Sequence, residues 1–128
     1  MSVQLDHAIV SVRDKTAAAR RLAQLLDVPW GETVTGRFTP VYVNEGLTLE
    51  FDETDRQLPV QHYCFRVSEV AFDAIFTRIV DAGIAYRSSP LGPVDMTVNE
   101  RNGGRNIYWD ADGVVWEILT VSYARPAV

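Results

Sequence analysis

Apolar and polar side chains alternate along two segments of the chain that begin in a similar way. Residues 5–12 contain His7, and residues 60–67 contain His62 at the matching place. Alternation rich in Val, Ile and Phe predicts a strand in each segment. A run with helical spacing follows each strand: Asp14 is the expected N-cap of a helix over residues 15–26, and Ser68 is the expected N-cap of a second helix.

Three short strands are expected after each helix, because apolar runs there are separated by Gly and Pro. In the first half these strands are expected at residues 32–37, 40–44 and 47–52, and in the second half near 84–87, at 105–110 and at 114–121. The pattern therefore predicts an α+β fold with two βαβββ modules, at about residues 3–54 and 58–122 of one domain spanning residues 1–128. The longer loop of the second module, residues 88–104, is expected to be irregular.

The only two histidines of the chain occupy matching positions of this repeat, and so do two glutamates in the last strand of each module. Strand alternation places each of these residues opposite the more apolar face of its strand. All four are therefore expected to face the concave side of a curved mixed sheet. Two carboxylates buried together require a cation, and imidazole with carboxylate suits Ni, Zn, Fe, Mn or Co. The predicted ligands of one divalent metal ion are His7, Glu50, His62 and Glu117, with Glu50 alternatively a general base.

Composition narrows the functional class. The chain has 128 residues and is 47% hydrophobic, which fits a soluble domain, and no apolar run is long enough to span a membrane. The net charge of −5 argues against nucleic acid as a partner. The single cysteine, Cys64, excludes an internal disulfide. With no signal peptide in the sequence, the expected location is the cytoplasm.

Three stretches resemble the vicinal oxygen chelate superfamily. They are residues 5–7, the strand at 62–67, and residues 104–117, in which an Asp-Gly turn precedes Glu117. This superfamily includes glyoxalase I, extradiol dioxygenases, methylmalonyl-CoA epimerase, and fosfomycin and bleomycin resistance proteins. The resemblance implies paired βαβββ modules around a metal cleft, with His7, His62 and Glu117 as shared ligands and Glu50 at the fourth ligand position of glyoxalase I-like enzymes. By analogy it also implies a homodimer acting on a small molecule.

Three functions follow from the resemblance, and the sequence leaves all of them open. The first is a lyase or isomerase, in which Glu50 or Glu117 moves a proton next to a carbonyl of a substrate with vicinal oxygens. The second is an extradiol-type, iron-dependent dioxygenase with three protein ligands and Tyr108 near the oxygen site. The third is a metal-free protein that binds an aromatic or peptide drug. The intact ligand set favours the first two, and the presence of Glu50 places the lyase or isomerase ahead.

Overall fold

The computed structural model describes residues 2–31 and 36–126. The chain divides into two units, Met1–Pro59 and Val60–Val128. In chain order the helices and strands are β1 (His7–Val12), α1 (Lys15–Leu26), β2 (Thr39–Tyr42), β3 (Thr48–Glu53), β4 (Gln61–Arg66), α2 (Glu69–Asp81), β5 (Asn106–Ala111) and β6 (Val114–Leu119).

Each unit contains a mixed three-stranded sheet, and the two sheets have the same topology. Their strand orders are β1-β3-β2 and β4-β6-β5. The central strand of each sheet is β3 or β6. It pairs in parallel with β1 or β4 on one side and antiparallel with β2 or β5 on the other. The predicted α+β fold with an internal duplication is therefore confirmed, although the repeat is not evident as sequence identity.

Both helices begin where their capping residues predict. The Asp14 side chain accepts a hydrogen bond from the Ala17 amide at 3.0 Å, and the Ser68 hydroxyl accepts one from the Ala71 amide at 3.1 Å. These bonds satisfy amides that have no partner within the helix. The buried side chains of the helices are Ala18, Ala19, Leu22, Ala23 and Leu25 in α1, and Phe72, Ile75 and Ile79 in α2.

The strand expected directly after each helix is not formed. In the first unit, residues 32–35 of the expected strand lie outside the described residues, and Gly36 and Arg37 form a bend. In the second unit, the expected strand near residues 84–87 is wrong, because only an isolated bridge joins Arg87 to Tyr108. The chain leaves the sheet after Arg87, and the Arg87 side chain bonds to the loop that follows.

Arg87 is a buried cation that organises the start of the long loop. Its guanidinium donates hydrogen bonds to the carbonyls of Ser89 and Pro90, at 2.9 and 2.6 Å, and to both carboxylate oxygens of Asp110. A buried guanidinium needs this many acceptors, and the loop supplies them only by leaving the extended conformation. The rest of residues 88–104 is irregular, as predicted, apart from an isolated bridge between Asn99 and Asn106.

The closing hairpin and the faces of the sheets follow the sequence prediction. Asp112 and Gly113 both have positive φ, 58° and 79°, which is the requirement of the two-residue turn that joins β5 to β6. The buried sides of the two sheets are apolar and contain Val10, Val12, Val41, Leu49 and Phe51 in the first unit and Ile107, Trp109, Trp116 and Ile118 in the second.

The opposite side of each sheet carries the histidines and glutamates singled out from the sequence. Strand register puts Glu50 on the same side of the first sheet as His7, and Glu117 on the same side of the second sheet as His62. Among the described residues, no helix is long and apolar enough to cross a membrane.

Candidate metal-binding residues

The parallel pairing of β4 with β6 brings His62 and Glu117 into direct contact. Cys64 lies opposite Glu117 in the ladder, so His62 is diagonal to the glutamate on the same side of the sheet. The distance from His62 Nε2 to Glu117 Oε1 is 3.1 Å. The His62 side chain is 41% exposed and that of Glu117 is fully buried. The pair therefore has one side open to a ligand and one side fixed in the protein.

Several donors converge on the buried carboxylate of Glu117. The Asn106 amide donates to Oε2 at 3.0 Å, and the Tyr123 hydroxyl donates to Oε1 at 2.6 Å. The Cys64 thiol also bonds to this carboxylate. A buried anion is costly unless it is paired and hydrogen-bonded, and these donors leave its negative charge to be balanced by a cation.

The tautomer of His62 is set by its second ring nitrogen. Nδ1 lies 2.8 Å from the Val115 carbonyl oxygen, which can only accept, so Nδ1 carries a hydrogen. A neutral His62 would then direct a lone pair from Nε2 at a carboxylate oxygen, and two acceptors 3.1 Å apart repel. Either a proton or a metal cation must lie between them. Metal-binding histidines commonly use the same backbone-carbonyl contact, so the donor set fits a divalent metal.

His7 and Glu50 form a second pair in the first unit. Both line one pocket together with Asp6, Ile9, Phe38 and Thr48. His7 Nδ1 lies 2.8 Å from Asp6 Oδ2, which leaves Nε2 available. Both histidines therefore have Nδ1 next to an oxygen acceptor and Nε2 directed away from it, which is the arrangement expected of two imidazole ligands.

The Asp6 contact should be measurable as a shifted titration of His7. The hydrogen bond to Asp6 raises the pKa of His7 above 6.5; desolvation opposes this, and the charges of Asp6 and Glu50 add to it. In the folded protein the imidazolium is favoured, so its small contribution to stability is present at low pH and is lost as the pH rises through the folded pKa. We expect Asp6→Asn to return the pKa of His7 towards 6.5 in an NMR titration of the metal-free protein. Asp55→Asn, in the same unit, should leave it unchanged; an unaltered pKa in Asp6→Asn would contradict the assignment.

Tyr108, singled out from the sequence as a catalytic candidate, lies on the same side of β5 as the pair in the second unit. It is opposite Glu117 in the ladder, and its ring centroid is 6.0 Å from that of His62. Its hydroxyl is 3.2 Å from that of Tyr123. Burial raises the pKa of the Tyr108 phenol, so it remains protonated at neutral pH and can serve as a hydrogen-bond donor.

Sequence reasoning missed Tyr123, which lies beyond the last predicted strand. No periodic pattern in the sequence marks this residue, because its contact with Glu117 depends on how the chain turns after β6. Cys64, the single cysteine, is exposed and lies beside this carboxylate. Desolvation and the neighbouring Glu117 carboxylate raise the pKa of its thiol, which keeps it protonated and unreactive.

Arg105, directly after the long loop, pairs with acidic side chains of α2. It forms ion pairs with Glu69 at 3.0 Å and with Asp73 at 2.8 Å, and its guanidinium lies over the Phe72 ring. These contacts attach the start of β5 to α2. The Arg105 side chain therefore has a structural role within the second unit.

The four predicted ligands thus appear as two pairs, His7 with Glu50 in one unit and His62 with Glu117 in the other. Within residues 2–31 and 36–126, no group of three or more His, Cys, Asp or Glu side chains is close enough to hold a metal ion. A single site with all four residues stays a prediction.

Comparison with solved structures identifies relatives along nearly the whole chain. The chain is 40% identical to Oxidase ChaP-H2, with a TM-score of 0.89, covering 97% of this chain and 98% of that one. It is 36% identical to Oxidase ChaP-H1, with a TM-score of 0.87, covering 97% and 100%. No protein-family model and no curated protein matches the chain.

More distant structures share the fold. The fosfomycin resistance protein FosX from Mesorhizobium loti is 21% identical, with a TM-score of 0.69 and 96% of each chain covered. A glyoxalase/dioxygenase from Nostoc punctiforme is 19% identical, with a TM-score of 0.67, covering 93% of this chain and 91% of that one. Together with the duplicated βα-modules and the oxidase relatives, these similarities establish that the chain belongs to the vicinal oxygen chelate superfamily.

Proposed function

We propose that this protein is a metal-dependent oxidase that acts on a small aromatic substrate with two neighbouring oxygen atoms. The observation that carries the proposal is the 40% identity to Oxidase ChaP-H2 over almost the full length of both chains. The sequence alone favoured a lyase or isomerase. The oxidase relatives reverse that order, because they are far more similar to this chain than the glyoxalase-like structures are.

The proposed metal ligands are His7 and His62, each through Nε2, and Glu117 through Oε1. Two histidines and one carboxylate are the donor set typical of non-haem iron(II) oxygenases, and manganese or cobalt could also bind. When bound, such a metal would supply a Lewis acid for the two substrate oxygens and a redox-active centre for oxygen chemistry. Holding it requires the tautomer in which Nδ1 is protonated, as the Val115 carbonyl favours in His62.

Contacts around Glu117 favour the role of ligand over that of a mobile base. Asn106, Tyr123 and Cys64 all donate to its carboxylate, so it is held in place from three sides. A general base needs a free lone pair within reach of the proton that it removes, and these three donors already occupy lone pairs of Glu117. The lyase or isomerase mechanism in which Glu117 transfers the proton is therefore less favoured.

The pocket of the first unit that contains His7 and Glu50 also has apolar side chains that suit an aromatic substrate. Ile9 and Phe38 line the pocket that contains His7 and Glu50, and Ile9 is 50% exposed. An aromatic ring would bury this apolar surface, which a small hydrophilic substrate would leave hydrated.

A lyase or isomerase remains the second candidate because of Glu50. Its carboxylate lines the same pocket as His7 and has no hydrogen-bond network comparable to that around Glu117 among the described contacts. Such a carboxylate can serve as a fourth ligand or as the base that removes a proton next to a carbonyl. Metal-free drug binding is the least supported function, because it assigns no role to the pair His7 and Glu50 or to the pair His62 and Glu117.

We expect the purified protein to bind about one equivalent of iron(II) per site and to consume oxygen with a catechol. His62→Ala should lose the metal and reduce oxygen uptake by more than about 100-fold, because removing a ligand should exceed the 10–100-fold cost typical of residues that support ligands. The measurements are elemental analysis after anaerobic loading and oxygen-electrode assays. Loading with nickel or zinc, and assays with hemithioacetals and acyl thioesters, test the second candidate in parallel.

Glu100→Gln, at an exposed carboxylate, is the control and should keep both metal and activity. Turnover of a thioester or hemithioacetal without oxygen would replace the oxidase with the lyase or isomerase. Tight binding of aromatic ligands by a protein that takes up no metal would replace both with the drug-binding function. A homodimer, proposed by analogy within the superfamily, is tested by light scattering on the same samples.

A further inference from the structure

Tyr123 lies four residues beyond the end of β6 and contacts the one buried carboxylate of the proposed metal site. Its hydroxyl donates to Glu117 Oε1 at 2.6 Å, which is shorter than the 3.0 Å bond from Asn106 to Oε2. The same oxygen is 3.1 Å from His62 Nε2. Tyr123 therefore contacts the same carboxylate oxygen that faces the His62 imidazole, where a metal cation would lie.

The bond from Tyr123 occupies one of the few hydrogen-bonding positions of the Glu117 carboxylate. Each carboxylate oxygen can accept about two hydrogen bonds. Oε2 accepts from Asn106, Oε1 accepts from Tyr123 and faces His62, and the Cys64 thiol also bonds to the carboxylate. Of the contacts to Oε1, the one that a cation could replace is the contact with the His62 imidazole.

The direction of the hydroxyl hydrogens separates the roles of the two tyrosines. Tyr123 has a single hydroxyl hydrogen and donates it to Glu117, so at the 3.2 Å contact its oxygen must accept from Tyr108. Tyr108 thus orients Tyr123, and the Tyr123 hydroxyl makes the 2.6 Å bond to the carboxylate, with which the Tyr108 hydroxyl also interacts. The chain Tyr108–Tyr123–Glu117 is a set of hydrogen bonds with one consistent direction.

We propose that Tyr123 is a positioning residue that restricts Glu117 to binding a metal through one oxygen, in the direction of His62. This inference rests on the proposed metal site but not on the oxidase reaction. It assigns a function to the segment after β6, whose sequence shows no regular pattern. Without the hydroxyl, Glu117 Oε1 would lose its 2.6 Å donor, which leaves Asn106 and Cys64 to oppose rotation of the carboxylate about its terminal bond.

The test compares Tyr123→Phe with the wild type by titrating cobalt(II) into the metal-free protein and recording visible absorption. We expect the variant to bind cobalt about 10–100-fold more weakly, as is typical when a residue supporting a ligand is lost, and with altered d–d bands. Tyr63→Phe is the matched control, because its hydroxyl contacts Gln61 and its ring packs on the opposite side of the sheet against Trp116. That control should match the wild type in both readouts.

A purely structural role would lower the melting temperature of metal-free Tyr123→Phe and leave the cobalt spectrum unchanged, and this result would overturn the inference. Wild-type affinity and spectrum in Tyr123→Phe would also overturn it, while leaving the metal site intact. Weaker cobalt binding in this variant together with a wild type that consumes no oxygen would support the inference and reject only the oxidase. A wild type that binds no cobalt, iron or manganese would reject the metal site and the inference together.

Discussion

Replacing Glu117 with glutamine should remove stoichiometric metal binding and reduce oxygen uptake by more than about 100-fold, with the protein still folded. The amide is neutral and binds metals weakly, so the proposed metal site would lose the anionic ligand that we assign to the second unit. Elemental analysis of the loaded variant and oxygen-electrode assays at saturating metal measure the two losses. This is the largest functional effect that we expect from one isosteric change.

The fold should tolerate this change because Asn106 can adapt to it. The glutamine oxygen can accept from Tyr123, and its nitrogen would then meet the Asn106 side chain at the position of Oε2. Rotation of the Asn106 amide presents its oxygen to that nitrogen and restores the bond. The free energy of unfolding should therefore stay within about 1.5 kcal/mol of the wild-type value, measured by urea denaturation of the metal-free protein.

Glu100→Gln is the control for the same substitution at an exposed position, and it should change neither metal content nor stability. Full metal stoichiometry in Glu117→Gln would contradict the assigned role of Glu117. Loss of folding in Glu117→Gln would instead show that the carboxylate is required by its buried hydrogen-bond network.

Truncating Trp109 to alanine should be the most destabilising single change discussed here, at about 3–5 kcal/mol. Trp109 is fully buried in β5, and its removal leaves a cavity in the apolar side of the second sheet. Because native stability is only about 5–15 kcal/mol, the melting temperature should fall by roughly 10 °C or more. Thermal unfolding followed by circular dichroism measures the shift.

Trp109→Phe should destabilise the protein much less than the loss of side-chain volume alone would predict. The indole Nε1 of Trp109 is buried and has no hydrogen-bond partner among the described residues, and a buried unpaired donor costs about 1–3 kcal/mol. Phenylalanine removes that donor while filling most of the space. Trp116→Phe, at the paired position of β6, is the matched control for loss of volume. Equal costs for Trp109→Phe and Trp109→Ala would contradict this explanation.

Interactions between residues close in the sequence determine where the helices begin, where the closing turn forms and which face of its strand each side chain occupies. Asp14 and Ser68 predict where the helices begin because a capping side chain acts on amides only three residues away. The positive φ angles at Asp112 and Gly113 are likewise a local requirement of their residue types. Alternation assigns His7, Glu50, His62 and Glu117 to their faces, since side-chain direction in a strand depends only on parity.

Prediction from local sequence was wrong where a side chain bonds to groups that are distant along the chain. The stretch near residues 84–87 has strand-like composition, but Arg87 satisfies its buried charge with loop carbonyls and Asp110, and only a bridge forms. No periodicity in the sequence encodes this outcome, because it depends on an acceptor 23 residues away. The same applies to Arg105, whose partners are on α2.

Only the tertiary structure decided which chemistry-bearing residues touch. Contact between His62 and Glu117 requires the parallel register of β4 with β6, a pairing across 55 residues that parity alone does not specify. The Val115 carbonyl that sets the His62 tautomer, and the Tyr123 hydroxyl that holds Glu117, come from the same long-range arrangement. The sequence by itself determined which residues could bind a metal, because residue type and face are local properties. Their hydrogen-bond partners are non-local, since a partner is selected by strand order and register.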